Sequence, residues 1–266
     1  MSEQLEKQRS LVQDKFNHLL DVIEQGKINF SKNYNPVGAL ESAFTQILNL
    51  TFKHNNNSYN VSDYVTPDSI YNCLYKMLVD NLYAEKKHCS FIKRGNTLNY
   101  QVDYNGTIEL AKRGGLKEVF PHVVYTLDEF EYETNEQGLT KLLKHKSNLG
   151  NIDFNNIIGA YASVILYDGT QYIEVMSMAQ IQQAWEQGTA KGGSDAHKKF
   201  KDQMCMKTVI TRACKPYARS GGVELIEEYQ PTDFETGVKE EIETNSAKTK
   251  IDFNPEDEDL PDWAKN

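Results

Sequence analysis

A chain of 266 residues is long enough for one large domain, or for a domain with a sizeable flanking segment, and can bury a real core. With 39% hydrophobic and 11% aromatic residues, and no apolar run near the ~20 residues of a membrane-spanning helix, the collagen-like, integral-membrane and wholly disordered classes are excluded. The net charge of −9 is unevenly spread: residues 223–266 hold 14 acids and 4 bases, which leaves residues 1–222 at +1.

The N-terminus, MSEQLEKQRS, places charges where a secretory signal needs an apolar stretch, so a cytosolic protein is expected. Leu11, Val12, Phe16, Leu19, Leu20 and Ile23 recur at three- and four-residue spacing and predict a helix that stops at Gly26. Residues 36–52 and 67–83 predict two more helices, each opened by a proline, with the asparagine-rich stretch HNNNSYN as a loop between them.

From residue 88 the period becomes two. HCSFIKR, a Gly95-Asn96 turn and TLNYQVDY predict a β-hairpin, followed by a short helix capped by Asn105 and stopped at Gly114-Gly115. Strands are then expected in EVFPHVVYTL, EFEYET, LTKLLKH, IIGAYASVILY and QYIEVMS, the last two joined by the hairpin signal Asp168-Gly169. Ser177 and Gln180 form a capping-box pattern for a helix over 177–187, and a glycine-rich loop leads to a long final helix over roughly 195–217. Past Gly221-Gly222 the composition is acidic and poor in apolar clusters, which predicts disorder. The expected architecture is α+β: a helical N-terminal lobe (1–85), a core (86–222) with a central antiparallel sheet, β-hairpins and a long basic C-terminal helix, and an acidic tail (223–266). Cys73, Cys89, Cys205 and Cys214 lack zinc-site spacing and are expected as reduced, buried thiols.

Two segments stand out in charge. Residues 86–117 carry 7 bases and 2 acids, and residues 191–219 carry 8 bases and 2 acids, an asymmetry that fits a polyanionic partner. At 100° per residue, Lys201, Thr208, Arg212 and Lys215 share one stripe of the final helix, and Met206, Val209, Ile210 and Ala213 take the opposite one. A row of cations with a hydroxyl suits a phosphate backbone. On its own, however, such a stripe is more often an ordinary solvated face. The hairpin and the helix after it add Lys93, Arg94, Lys112, Arg113 and Lys117, interleaved with Phe91, Tyr100 and Tyr104, and aromatics beside bases can stack nucleobases. Tyrosines on strands are more commonly half-buried sheet residues.

Several pieces in order resemble the motif series of RecT-type phage single-strand annealing proteins: NYQVDYNGTIELAKRGGLKEV, VVYTLDEFEYE, His145, YASVILYDG, YIEVMSMAQI and KDQMCMKTVITRACK. Gln101, Tyr104, Gly106, Arg113, Lys207, Thr208 and Arg212 match positions of that pattern. The Leu-Gly-Leu-type segment before the first hairpin and the tryptophan shortly before the last helix are replaced here by DNLYAEK and SDAHKKF. The resemblance implies an ATP-independent, non-enzymatic protein of phage-type homologous recombination in a bacterial cytoplasm, with no cofactor or metal. It would bind single-stranded DNA, pair complementary strands, release duplex and assemble on itself as rings or helical filaments. A 5′-3′ exonuclease or a single-strand binding protein is the implied further partner. The DNA-binding residues expected on these grounds are Lys93, Arg94, Tyr100, Gln101, Tyr104, Lys112, Arg113, Lys198, Lys201, Lys207, Thr208, Arg212 and Lys215.

Annealing requires neutralised phosphates and accessible bases, not a catalytic residue, and no GxxxxGK[ST] phosphate loop is present. Two other readings compete. A passive coat on single-stranded DNA would bind with the same salt sensitivity but block pairing. A metal-dependent nuclease would suit Glu129, Glu131 and Glu133 on one strand face, although a solvated strand face is the commoner meaning of such alternation. His88, His122 and His145 read as structural or surface residues. The acidic tail, with Glu256-Asp257-Glu258-Asp259 leading into Leu260-Pro261-Asp262-Trp263, reads as solubilising more readily than as a docking segment for a partner or a competitor for the basic groove.

Overall fold

A computed structural model describes residues 2–54, 57–188 and 191–220; the expectation of a disordered acidic tail falls on residues outside these. The fold is α+β, as expected, and the described residues form two compact units that meet in sequence at Gln101 and Val102.

The first unit opens with α1 (Ser2–Glu24), α2 (Pro36–Asn49) and α3 (Pro67–Val79). Both prolines sit at the first helical position, where a missing N–H costs nothing. Asn35 and Thr66 cap the two helices by accepting from the Gly38 and Ser69 N–H groups. Val12, Leu19 and Val22 of α1, Leu40, Ala43 and Ile47 of α2, and Ile70, Leu74 and Met77 of α3 form the core between them. Burying each large aliphatic side chain contributes roughly 1.5–3 kcal/mol.

Two expectations change here. The helices end at Asn49 and Val79, three and four residues early. The asparagine-rich stretch is not a plain loop, because β1 (Thr51–His54) and β2 (Asn57–Asn60) pair antiparallel. Asparagines are poor strand formers, but Phe52, Tyr59 and Tyr64 bring their ring centroids within 5.2–5.7 Å, and this packing overrides local preference. The predicted hairpin follows as β3 (Cys89–Arg94) and β4 (Thr97–Val102), turning at Gly95. It is tied to the start of α3, where Leu98 N–H donates to Ser69 Oγ and Thr66 N–H donates to the Asn96 carbonyl.

The second unit begins with α4 (Tyr104–Arg113). Its N-cap is Asp103 rather than the expected Asn105, which lies inside the first turn. A three-stranded antiparallel sheet then forms from β5 (Leu116–Tyr125), β8 (Ile157–Leu166) and β9 (Gln171–Ser177) in the order β5-β8-β9. Between β5 and β8 the chain makes a separate antiparallel hairpin, β6 (Glu129–Thr134) with β7 (Thr140–Lys146). The helices α5 (Met178–Glu186), α6 (Asp195–Lys199) and α7 (Lys201–Ser220) complete the unit. The capping box at Ser177 and Gln180 is present as read. The long final helix is broken once: Phe200 leaves helical geometry at φ −131°, ψ 51°, and Ser194 caps α6 separately.

Strand alternation assigns the two faces of this sheet. Val123, Ala160, Ala162, Val164 and Met176 pack against Ile181 of α5 and against Cys205, Val209, Ile210, Ala213 and Cys214 of α7, with Ala111 of α4 in the same core. Val124, Tyr161 and Ile173 point the other way and pack under Phe130 and Leu142 of the β6–β7 hairpin. All four cysteines are buried and free, as expected. Among the described residues no helix is long and apolar enough to cross a membrane.

Strands β8 and β9 approach closely at Gly159, where a Cβ would stand 2.5 Å from the Met176 carbonyl oxygen. Gly159→Ala is therefore expected to destabilise the protein by roughly 1–3 kcal/mol through overpacking against backbone that cannot yield. Chemical denaturation checks this, and an unchanged midpoint would contradict it.

Candidate nucleic-acid interface

Helix α7 is buried along one side by Cys205, Val209, Ala213, Ile210 and Cys214. The remaining arc carries Lys207, Thr211 and Lys215 at four-residue spacing, with Thr208 and Arg212 beside them. No carboxylate lies on this arc, and Asp202 is on the buried side of the wheel. The arc forms one wall of an open groove of about 780 Å³. The facing wall is α5, through Gln180, Gln183, Ala184, Trp185 and its C-cap Gln187.

The groove cations are held differently. Arg212 Nε donates to Glu174 Oε1 of β9 at 2.7 Å, an exposed pair worth ~0–1 kcal/mol. Lys207 is exposed and reaches toward α4, with its Nζ 5.8 Å from the Tyr104 ring centroid. Lys215 is exposed. Thr208 lies between the walls: its hydroxyl donates to the Met204 carbonyl and accepts from the Trp185 indole N–H, both at 2.8 Å. Trp185 meets the His197 ring at 4.6 Å and 71°, and His197 Nδ1 lies 2.7 Å from Ser194 Oγ. Burial, then the Lys207 charge, hold His197 below its ordinary value, so a neutral ring faces the indole at pH 7.

The other expected positions fall in three places. Lys201 opens α7 on the stripe of Arg212 and is half-buried, and Lys198 is exposed on α6. Lys112 is exposed at the end of α4, where Arg113 pairs with Glu109 at 3.5 Å. Lys93, Arg94, Tyr100 and Gln101 belong to the first unit. There Arg94 and Gln101 are exposed, Lys93 lies 4.4 Å over the Phe52 ring, and Tyr100 donates to Asp80 at 2.7 Å. Burial, then the Asp80 carboxylate, push the Tyr100 phenol far above its ordinary value. Gly106 is buried within α4.

Sequence reasoning missed the α5 wall. Its signal was available: Gln180, Gln183 and Gln187 recur at three and four residues on a helix that had been recognised.

A family model, RecT family, matches residues 42–250, most of the chain. The protein belongs to the RecT family, the single-strand annealing proteins of recombination, which bind single-stranded DNA. No curated protein matches the chain.

A second polar cluster lies on the opposite face of the sheet. His145 Nδ1 is 3.0 Å from the Tyr161 hydroxyl and its Nε2 is 3.3 Å from Asp128 Oδ2. Asp128 also accepts from the Tyr125 N–H and from Asn151 Nδ2, both at 2.9 Å. The three glutamates of β6 face the basic residues of β7, and Glu129 pairs with Lys144. Among the described residues no three His, Cys, Asp or Glu side chains group so as to hold a metal ion. Burial raises the Asp128 pKa, but the hydrogen bonds from Tyr125, Asn151, Ser147 and His145 together outweigh it and leave the carboxyl below its ordinary 3.8. A folded-state pKa lowered in this way contributes stability that is present above about pH 4 and is lost as pH falls through the folded value. Asp128→Ala is expected to cost about 2 kcal/mol at pH 6, with the gap from the unsubstituted protein narrowing as pH falls below about 4. Denaturant titrations at several pH values check this, and a pH-independent gap would contradict it.

Proposed function

We propose that the protein anneals complementary DNA strands without ATP, holding a single strand by its phosphates along the outward arc of α7. The observation that carries this is the acid-free row of Lys207, Arg212 and Lys215, opening on a groove large enough for a nucleotide chain. Lys201, Lys198, Lys112, Arg113 and the Tyr104 ring extend the contact in the second unit. Lys93, Arg94, Tyr100 and Gln101 on the first unit's hairpin supply a further set. Recognition through phosphate charge carries no sequence information, which suits a protein that accepts arbitrary strands. Nothing in the proposed role calls for a reacting side chain or a bound nucleotide. Membership in the RecT family supports the reading, with assembly into rings or filaments on DNA and cooperation with an exonuclease or a single-strand binding protein as its further elements.

Two complementary dye-labelled oligonucleotides mixed with the protein, in the absence of any nucleotide cofactor, are expected to pair faster than they do alone. Slowed pairing would instead mark a passive coat. Lys207→Ala and Lys215→Ala are each expected to flatten the dependence of log affinity for single strands on log salt by about 0.7. Lys141→Ala, on the hairpin that covers the sheet's other face, should leave that slope unchanged.

A further inference from the structure

The two walls of the groove differ in chemistry. The α7 wall is cationic. The α5 wall presents Gln180, Gln183 and Gln187 with Trp185 beside them, and the one charged residue of α5, Glu186, is not part of the lining. Phosphates need neither an indole nor a row of neutral amides.

Trp185 is held at three points. Its N–H is bound by Thr208, its ring abuts His197, and the side chain packs, partly buried, against the core between sheet and helices. A fixed indole lining a groove is suited to stacking, which is worth ~1–3 kcal/mol per base and accepts any base. The amides are matched to the same task. A glutamine side chain offers both a donor and an acceptor, so it can meet the edge of any base. Gln180 is partly committed, since its Oε1 accepts from the Ser177 N–H, leaving its NH₂ as a donor.

We infer that α5 is the base side of the groove: a nucleobase of the bound strand stacks on Trp185, and Gln183 and Gln187 hydrogen-bond to the edges of flanking bases, while the phosphates follow α7. This rests on the groove being a DNA site, and it adds that the site reads the presence of bases as well as phosphate charge. It also orients the strand, with sugars between the walls and bases turned toward α5.

The test uses the full chain with Trp263→Phe, which leaves Trp185 as the single tryptophan of two in the sequence. Two probes of equal length and charge are compared, a thymidine oligonucleotide and an abasic phosphodiester strand, with binding followed separately by anisotropy of end-labelled versions. At saturation the thymidine strand is expected to quench Trp185 emission and the abasic strand to leave it unchanged. In an otherwise unsubstituted chain, the exposed double variant Gln183→Ala/Gln187→Ala and the variant Trp185→Leu should weaken thymidine-strand binding, Trp185→Leu by about tenfold, with abasic binding preserved. Equal quenching by the two strands, or equal loss of both affinities, would overturn the inference while leaving the phosphate contact intact. Failure of both strands to bind in the anisotropy experiment would overturn the DNA reading of the groove, and the base-side assignment with it.

Discussion

A helix laid on a sheet must surrender one side to the core, and in the second unit α7 does so completely. Cys205, Val209, Ala213 and Cys214 are each 2% exposed or less. That burial fixes the rotation of the helix about its axis to within a side chain. Where Lys207, Thr211 and Lys215 point is therefore a consequence of where Val209 and Ala213 are buried. The same constraint acts through the sheet. Because β9 alternates, Tyr172, Glu174 and Met176 share the helix side while Ile173 and Val175 turn to the hairpin, and Glu174 is thereby delivered to Arg212. The charge pattern of the groove is thus set by apolar packing rather than by charge attraction, which at this exposure is too weak to orient a helix.

The sheet serves two different covers. On the helix side the contact is apolar and broad. Beneath the β6–β7 hairpin it is smaller and contains the buried Asp128 carboxylate, which ties the β5 end, the 147–151 segment and His145 together. Polar groups in such a place specify one arrangement because leaving any of them unmatched is costly. A hairpin held by a few directional bonds over three buried sheet residues is a different mechanical object from helices that share a core of fifteen buried residues with the sheet.

Much of this was legible in the chain. The prolines at 36 and 67, the Ser177–Gln180 box and the period-two runs from residue 88 onward are short-range signals, and each marks an element that is present. What escaped depended on partners distant in sequence. The β1–β2 pairing rests on Phe52, Tyr59 and Tyr64 meeting as rings, which asparagine content hides. The break at Phe200 interrupts a continuous helical pattern that local preference would carry through. In the groove, the stripe of α7 was visible from its own periodicity, whereas the wall opposite it required knowing that α5 folds back alongside α7. The role of Thr208 was likewise hidden, since a threonine on a basic stripe looks like a phosphate donor until its hydroxyl is seen bonded to Met204 and Trp185.

The pairing of Arg212 with Glu174 changes what an incoming anion meets. Of the three groove cations, one arrives already matched, so engaging it is an exchange of carboxylate for phosphate and the net gain is the difference between two pairings. When the anion departs, the guanidinium has somewhere to return to. A cation with a resident counter-ion grips an anion less firmly and lets go more readily than its formal charge suggests.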